Sequence, residues 1–271
     1  VIEDQAWQRL GEEGNLAGIP VRLLAETDST NEVAANLART GAPSYTVVAA
    51  ETQSAGRGRL GKSWQSPAGS GLYFSLILRP ALAPADLPKI TLVAGLAVCL
   101  AVEKVARLPL RIKWPNDILL GDRKLAGILA ETVAVPGRRT AVVLGIGLNV
   151  NAPTTAFPAA LREKATSLFI HTGREYQRSE LLSAIVTEIK RLIGRFEREG
   201  FADLLREWRQ RDAYLGRELT WVARSGEIVR GVSLGPDDHG ELLIRDRRGR
   251  MHEILSGEIS LAGTVADEPR D

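Results

Sequence analysis

Cysteine is almost absent: one residue, Cys99, in 271, so no disulfide can close within the chain. Histidine is nearly as scarce. The three, at 171, 239 and 252, stand apart from one another and from Cys99, which argues against His/Cys metal clusters and against Ser-His-Asp or Cys-His catalysis. Long apolar runs are missing too. The longest, over residues 90–102, is about a dozen residues against the ~20 needed to cross a bilayer, so it reads as a buried helix with Cys99 as a small core residue. The start Val1-Ile2-Glu3-Asp4-Gln5 has neither the basic flank nor the apolar stretch of a secretion signal, and with the lone cysteine this points to the cytoplasm and away from the membrane. No charge dominates either: 35 Lys+Arg against 33 Asp+Glu leave +2, so the molecule is not a polycation built around nucleic acid and any basic function is local.

What is present is ordinary globular composition, 44% hydrophobic and 25% charged, enough for one large core and a small second one. Alternating or continuous apolar runs predict strands over 21–25, 46–50, 72–78, 125–133 and 141–150, and helices over 32–39, 87–105, 180–199 and 202–212. The 180–199 helix puts Leu181, Leu182, Ile185, Ile189, Leu192, Ile193 and Phe196 on one face, with Ser179 as its N-cap. After Gly216 the texture changes to short strands over 218–222, 228–234, 241–245 and 251–255, separated by turns such as Ser225-Gly226 and Gly235-Pro236-Asp237-Asp238. The expected organisation is a larger domain over 1–215, a small antiparallel β module over 216–263 and a polar tail over 264–271.

Four segments gather residues suited to chemistry. Gly56-Arg57-Gly58-Arg59-Leu60-Gly61-Lys62 sets three cations among three glycines. Glycine lets backbone bend and approach a ligand closely, and guanidinium grips phosphate or carboxylate through two hydrogen bonds, so this reads as a mobile anion clamp. A solvated basic turn or an RNA-contacting Arg-Gly loop shares that composition, but aromatic stacking partners and the Lys-Ser/Thr ending of a P-loop are lacking. Lys113-Trp114-Pro115-Asn116-Asp117, followed by Lys124, is a strand end or turn because Pro115 removes a donor and biases Trp114 to extended backbone. Asn116 and Asp117 offer oxygens to a hard cation such as Mg²⁺ and Lys124 can neutralise an anion, unless these are a plain Asn-Asp turn beside a surface lysine. Ser29 and Glu32 match a capping box, and a helix start bearing Ser29, Thr30 and Asn31 also suits a neutral polar head group such as a cyclic urea. In Gly145-Ile146-Gly147-Leu148-Asn149-Val150, Val150 stands where a dinucleotide fingerprint needs its third glycine. That leaves a close backbone approach to a flat ligand, with Asn149 reading a base edge, or a simple bulge or turn.

Together, Asp28-Ser29-Thr30-Asn31, Gln53-Ser54-Ala55-Gly56-Arg57-Gly58-Arg59, Lys113-Trp114-Pro115-Asn116-Asp117, Lys124-Leu125-Ala126-Gly127-Ile128-Leu129 and Gly145-Ile146-Gly147-Leu148-Asn149 resemble, in order and spacing, the biotin protein ligase family. The resemblance continues through Thr166-Ser167-Leu168 and Gly257-Glu258-Ile259-Ser260-Leu261 and covers roughly residues 20–263. It implies an α+β fold: an α/β catalytic domain with a mixed sheet, related to the lipoyl ligases, and a small C-terminal SH3-like β-barrel. It also implies an enzyme that uses ATP and Mg²⁺ to make biotinyl-AMP and passes biotin to a lysine of a biotin carboxyl carrier protein, such as an acetyl-CoA carboxylase subunit. By the same resemblance Ser29, Thr30, Asn31 and Gln53 surround biotin, with Gly127 and Gly147 alongside, and Arg57, Gly58 and Arg59 belong to a loop that closes over the intermediate. Lys124 meets the biotin carboxylate and the α-phosphate, Asn116 and Asp117 position the nucleotide with Asp117 toward the metal, and Lys62, Trp64 and Asn149 flank the nucleotide. Arg57, Arg59, Lys124 and Asp117 are thus the catalytic candidates. Pairing of two copies through a sheet edge is a further family expectation. Some members carry an N-terminal winged helix-turn-helix and act as repressors, whereas about twenty residues precede the catalytic segments here, so no DNA binding is expected. The competing readings are a lipoate ligase on the related fold and a non-catalytic nucleic-acid module built on the 56–62 loop, which leaves the other four segments unexplained.

Overall fold

The computed structural model describes residues 5–135, 137, 139–222, 228–255 and 258–261. In chain order the elements are α1 (Gln5–Glu13), β1 (Asn15–Leu16), β2 (Ile19–Thr27), α2 (Thr30–Arg39), β3 (Val47–Gln53), β4 (Gly71–Leu78), α3 (Ile90–Ala106), β5 (Arg111–Lys113), β6 (Asp117–Leu120), β7 (Arg123–Val133) and β8 (Ala141–Asn149). They continue as α4 (Leu168–Thr172), α5 (Arg178–Glu199), α6 (Ala202–Arg209), β9 (Glu218–Val222), β10 (Ile228–Pro236), β11 (Leu242–Asp246), β12 (Met251–Ile254) and β13 (Glu258–Leu261). The first eight strands form one mixed sheet in the order β1-β2-β3-β4-β8-β7-β6-β5. β2 and β3 run parallel across α2, and the other neighbours are antiparallel.

β4 and β8, which read as apolar runs, are buried on both faces, and the period of two sorts their side chains. Along β8, Val142, Leu144, Ile146 and Leu148 enter the large core with α3, α5 and α6, whereas Ala141 and Val143 belong to a smaller cluster with α2. Gly145, Gly147 and Asn149 continue along that second face. Because α2 is only ten residues long, it covers one end of this face and leaves the rest open beyond its N-terminus. That uncovered end is where the cleft lies.

Several local expectations need correction. The segment Pro84–Ala106 is long and apolar enough by composition to cross a bilayer, longer than the run counted from the sequence, because the 3₁₀ turn at Pro84–Lys89 leads directly into α3. Here it is a core helix packed on α5 and α6, with Cys99 buried and its thiol pushed up by that burial. Ser29 sits at the N-cap position of α2 but its side chain makes no capping bond, and Glu32 lies beside Arg57 instead. α5 begins at Arg178 after Gln177, so Ser179 is inside the helix and does not cap it. α6 stops at Arg209, and the chain that follows pairs with the sheet edge: the Ile112 amide donates to the Arg211 carbonyl at 2.7 Å and the Ala213 amide to the Ile112 carbonyl at 2.9 Å.

The C-terminal strands form a separate antiparallel sheet, β12-β11-β10-β9-β13, where an SH3-like module is expected; β12 and β13 are its two edges among the described residues. It is tied to the first domain by Trp114, whose Nε1–H donates to the Gly240 carbonyl at 3.0 Å, and by Arg209, whose Nε–H donates to the Pro236 carbonyl at 3.0 Å. The expected turn at Ser225-Gly226 and the tail 264–271 lie outside the described residues.

Candidate active site

The open end of the α2 face is a cleft of about 340 Å³, within the ~300–1,000 Å³ range of small-molecule sites. All four segments meet in it. Ser29, Thr30, Asn31 and Gln53 line it, as do Arg57, Gly58, Arg59, Lys62 and Trp64 of the glycine-arginine loop, Asn116, Asp117 and Lys124, and Gly127, Gly147 and Asn149.

At one end the groups are neutral and pre-oriented. Gln53 Oε1 accepts from the Thr30 amide at 2.9 Å and from Thr30 Oγ1 at 3.2 Å, and its Nε2–H donates to Ser66 Oγ at 2.9 Å. Ser75 Oγ, fully buried in an otherwise apolar strand, lies 2.6 Å from Asn31 Oδ1 and 2.8 Å from Thr30 Oγ1, and its single proton serves one of them at a time. Asn31 Nδ2 donates to Glu131 Oε2 at 2.7 Å. Such a closed array holds its donors and acceptors in fixed directions.

The other end is charged. Lys124 Nζ lies 2.7 Å from Asp117 Oδ1 and 5.4 Å from the Trp64 ring centre, and Arg59 Nη1 donates to Asn116 Oδ1 at 3.2 Å. Asn116 is fixed by two bonds to Ile128: Nδ2 to the Ile128 carbonyl and the Ile128 amide to the Asn116 carbonyl, both at 3.0 Å. Leu129, whose carbonyl Asn31 also reaches, and Lys124 are five residues apart on β7, so the two ends are separated by roughly 16 Å at ~3.3 Å per residue.

Between them Trp64 explains the glycines. A Cβ on Gly147 would lie 2.4 Å from Trp64 Cε2 and one on Gly127 3.0 Å from Trp64 Cζ3, so the flat group against Gly147 is the indole, where the sequence suggested a ligand. A Cβ on Gly145 would lie 2.2 Å from Asn31 Oδ1. The Gly-x-Gly pair thus seats two side chains and is not half of a nucleotide fingerprint. The loop itself is closed by the Trp64 amide on the Gly56 carbonyl (2.8 Å) and the Gly58 amide on the Lys62 carbonyl (2.6 Å). Its left-handed residues are Leu60 and Gly61, at φ 58° and 75°, while Gly56 is needed for approach, since a Cβ there would meet the Trp64 carbonyl at 2.5 Å.

Arg57 lies against two carboxylates, Glu131 at 3.2 Å and Glu32 at 3.6 Å. Asn149 is buried and one Nδ2–H donates to the Thr166 carbonyl at 2.9 Å, which leaves its Oδ1 and its second N–H to read a base edge. Below the neutral end, Arg178 chelates Glu51 through contacts of 2.7 and 3.0 Å and lies over the Trp7 ring at 4.6 Å. Burial works to raise the Glu51 carboxyl, but the hydrogen bond and charge of Arg178, with help from Trp7 and the Gly69 amide, outweigh it and hold it below the usual carboxylate range.

The Biotin/lipoate A/B protein ligase family matches residues 23–151. A biotin–[acetyl-CoA-carboxylase] ligase of Paracoccus denitrificans is 38% identical over 250 residues, 89% of this chain and 100% of that protein. The chain belongs to the biotin/lipoate A/B protein ligase family. The bifunctional ligase/repressor BirA of Bacillus subtilis is 36% identical to this ligase over 233 residues, 86% of the chain and 71% of BirA. The solved structure of the Aquifex aeolicus biotin protein ligase with biotin and ATP superposes with a TM-score of 0.77 at 33% identity, over 89% of this chain and 97% of the other. The fold of the ligase is therefore the biotin protein ligase fold, a mixed-sheet α/β domain followed by a small β module.

Among the described residues of the ligase no three His, Cys, Asp or Glu side chains gather to hold a metal. Asn116 Oδ1 and Asp117 Oδ1 are hard oxygen donors already engaged by Arg59 and Lys124. Such a set suits Mg²⁺ arriving on nucleotide phosphates, where about one or two protein carboxylates suffice. Sequence reasoning missed Ser66, Ser75 and Glu131, and also Ile259 of β13, which brings the C-terminal sheet to the cleft. Ser75 and Glu131 had a signal, since each interrupts an apolar strand pattern.

Proposed function

We propose that this ligase activates biotin with ATP as biotinyl-AMP and transfers it to a lysine of a biotin carboxyl carrier protein, as in acetyl-CoA carboxylase. The observation that carries the reading is a single cleft with a neutral, pre-oriented hydrogen-bonding end and a cationic end, joined by a floor of glycine and tryptophan. A substrate with an uncharged cyclic head, an apolar tail and a carboxylate fits that order. Ser29, Thr30, Asn31 and Gln53 take the head, and the tail lies along the Trp64 indole seated on Gly127 and Gly147.

In the first step a biotin carboxylate oxygen bonds to the α-phosphorus of ATP, the bond from that phosphorus to the β-bridging oxygen breaks, and pyrophosphate leaves. The obstacle is repulsion between two anions. Lys124, freed from Asp117, and Arg57 and Arg59 of the loop neutralise both and follow the charge into the transition state. Asp117 would hold the Mg²⁺ that ATP carries, which would supply charge neutralisation at the phosphates; Asn116 orients the loop through Arg59, and Lys62, Trp64 and Asn149 flank the nucleotide. In the second step the acceptor lysine, as a neutral amine, attacks the acyl carbon; the bond to the phosphate oxygen breaks, AMP leaves and the amine gives up a proton. The anhydride is reactive enough to need no enzyme nucleophile, and a closed loop keeps water from it. The scarcity of cysteine and histidine follows.

The same proposal divides the chain into a catalytic domain over 1–215 and a β module over 216–263, places it in the cytoplasm and pairs two copies through a sheet edge, which sedimentation would test. The reaction itself is tested by incubating the chain with biotin, ATP and Mg²⁺, then adding a biotin carboxyl carrier domain. Biotinyl-AMP followed by a biotin-sized mass increase on one carrier lysine is expected, and the absence of both would overturn the reading.

A further inference from the structure

The bonds around Glu131 join two parts of the cleft that the proposed reaction uses differently. Glu131 lies on β7 opposite Val143 of β8, on the face shared with α2. One of its oxygens, Oε2, accepts both from Asn31 Nδ2 at 2.7 Å and from Arg57 Nη2 at 3.2 Å. Behind Asn31 stand Ser75, Thr30 and Gln53 of the neutral end. Behind Arg57 stands the loop with Gly58 and Arg59. Glu131 lies two residues past Leu129 on β7, on the side of the neutral end away from Lys124, and there it orients one group from each part.

We infer that Glu131 is a positioning residue for closure of the 56–64 loop over the acyl-adenylate, holding Arg57 in a place set by Asn31. The inference rests on the adenylate-forming reading above. Filling the neutral end fixes Asn31 and thereby favours the closed loop, and by linkage a closed loop tightens the neutral end. Glu32 touches Arg57, at 3.6 Å, without reaching Asn31, so it steadies the guanidinium and carries no such coupling.

The test uses the full chain with ATP and Mg²⁺ and without acceptor, comparing wild type, Glu131→Gln, Arg57→Gln, the double variant and Glu32→Gln. Two quantities are read: the fraction of biotinyl-AMP released to solvent, and the rate of tryptic cleavage after Arg59 and Lys62 with and without biotin. In wild type, biotin slows the cleavage. In Glu131→Gln the released fraction rises about three- to fivefold, the factor that a half-exposed ion pair supplies, and the protection by biotin is lost; Glu32→Gln keeps the protection. Arg57→Gln, which also loses adenylation, is read by cleavage alone: it too loses the protection by biotin, and the double variant cleaves no faster because the two residues act as one unit. Wild-type retention and protection in Glu131→Gln, or effects that multiply in the double variant, would overturn the proposal. Thermal melting checks that the variants are folded, and if Glu131→Gln does not fold, Arg57→Gln reads the same coupling from the exposed loop. A wild type that makes no adenylate refutes the functional reading instead, which separates the two failures.

Discussion

Gly145→Ala adds one methyl in the middle of β8, between β4 and β7, where the strand cannot retreat. Its new Cβ would stand 2.2 Å from Asn31 Oδ1, 2.9 Å from Cγ and 3.1 Å from Nδ2, so the whole amide must leave. Three hydrogen bonds go with it: from Ser75 Oγ at 2.6 Å, to Glu131 Oε2 at 2.7 Å and to the Leu129 carbonyl at 3.4 Å. Two good bonds at ~1 kcal/mol each and the crowding of a packed site at ~1–3 kcal/mol oppose a gain of roughly 0.4–1 kcal/mol from removing glycine in the unfolded chain. The net loss is about 2–4.6 kcal/mol, those ranges combined. Because Asn31 also faces the ligand, the KM for biotin in adenylate formation rises about tenfold, the equivalent of ~1.4 kcal/mol. Urea unfolding and initial rates measure both. Gly147→Ala is the contrast, since its clash is with Trp64 on a loop that can shift, so it keeps most of the stability. If Gly145→Ala unfolds at the wild-type urea concentration and keeps the wild-type KM, the account of this glycine is wrong.

Lys124→Gln and Arg59→Ala should fold normally, since their partners are part-exposed, yet lose adenylate formation by about 100-fold or more; near wild-type turnover in either removes that residue from the chemistry. Asp212 is pushed up to about 6 by burial, against the amides of Tyr214 and Leu215 and the charge of Arg209. Its folded pKa exceeds its unfolded one, so folding takes up a proton and stability falls as pH rises from about 4 to 6. Asp212→Asn should therefore stabilise the ligase by roughly 2–3 kcal/mol at pH 8 and about half that at pH 5, and a gain independent of pH in urea titrations contradicts the assignment. Trp114→Phe removes the donor to the Gly240 carbonyl that ties the two sheets together; a loss of about 1–2 kcal/mol and faster amide exchange in β10 and β11 are expected, and unchanged exchange would show that the tie contributes nothing.

The large sheet and the main helices were legible because hydrophobic period is a local property: the stripe on α5 and the apolar runs of β4, β7 and β8 need no knowledge of their neighbours. Strands β5 and β6 were not. They are three and four residues long and are held by pairing with β7 and with the chain at 211–213, which no window of sequence contains. The capping readings failed for a related reason. Ser29 has the composition of a cap, but its surroundings are the cleft, and Glu32 is drawn toward Arg57 from a loop 25 residues on. In the site, residue types at fixed spacing were readable, whereas partners were not. That Gly145 makes room for Asn31, Gly147 for Trp64, and that Glu131 bridges Asn31 and Arg57 are facts of the folded sheet, where residues distant in sequence share one face.

The central claim is that the neutral end of the cleft selects a cyclic urea while the cationic end drives adenylation. It is tested most directly by giving the purified ligase Mg-ATP with either biotin or lipoate, without acceptor, and identifying the acyl-adenylate by mass spectrometry. Biotinyl-AMP from biotin and no product from lipoate is the expected result. Lipoyl-AMP in place of biotinyl-AMP, or no adenylate from either acid, would contradict it.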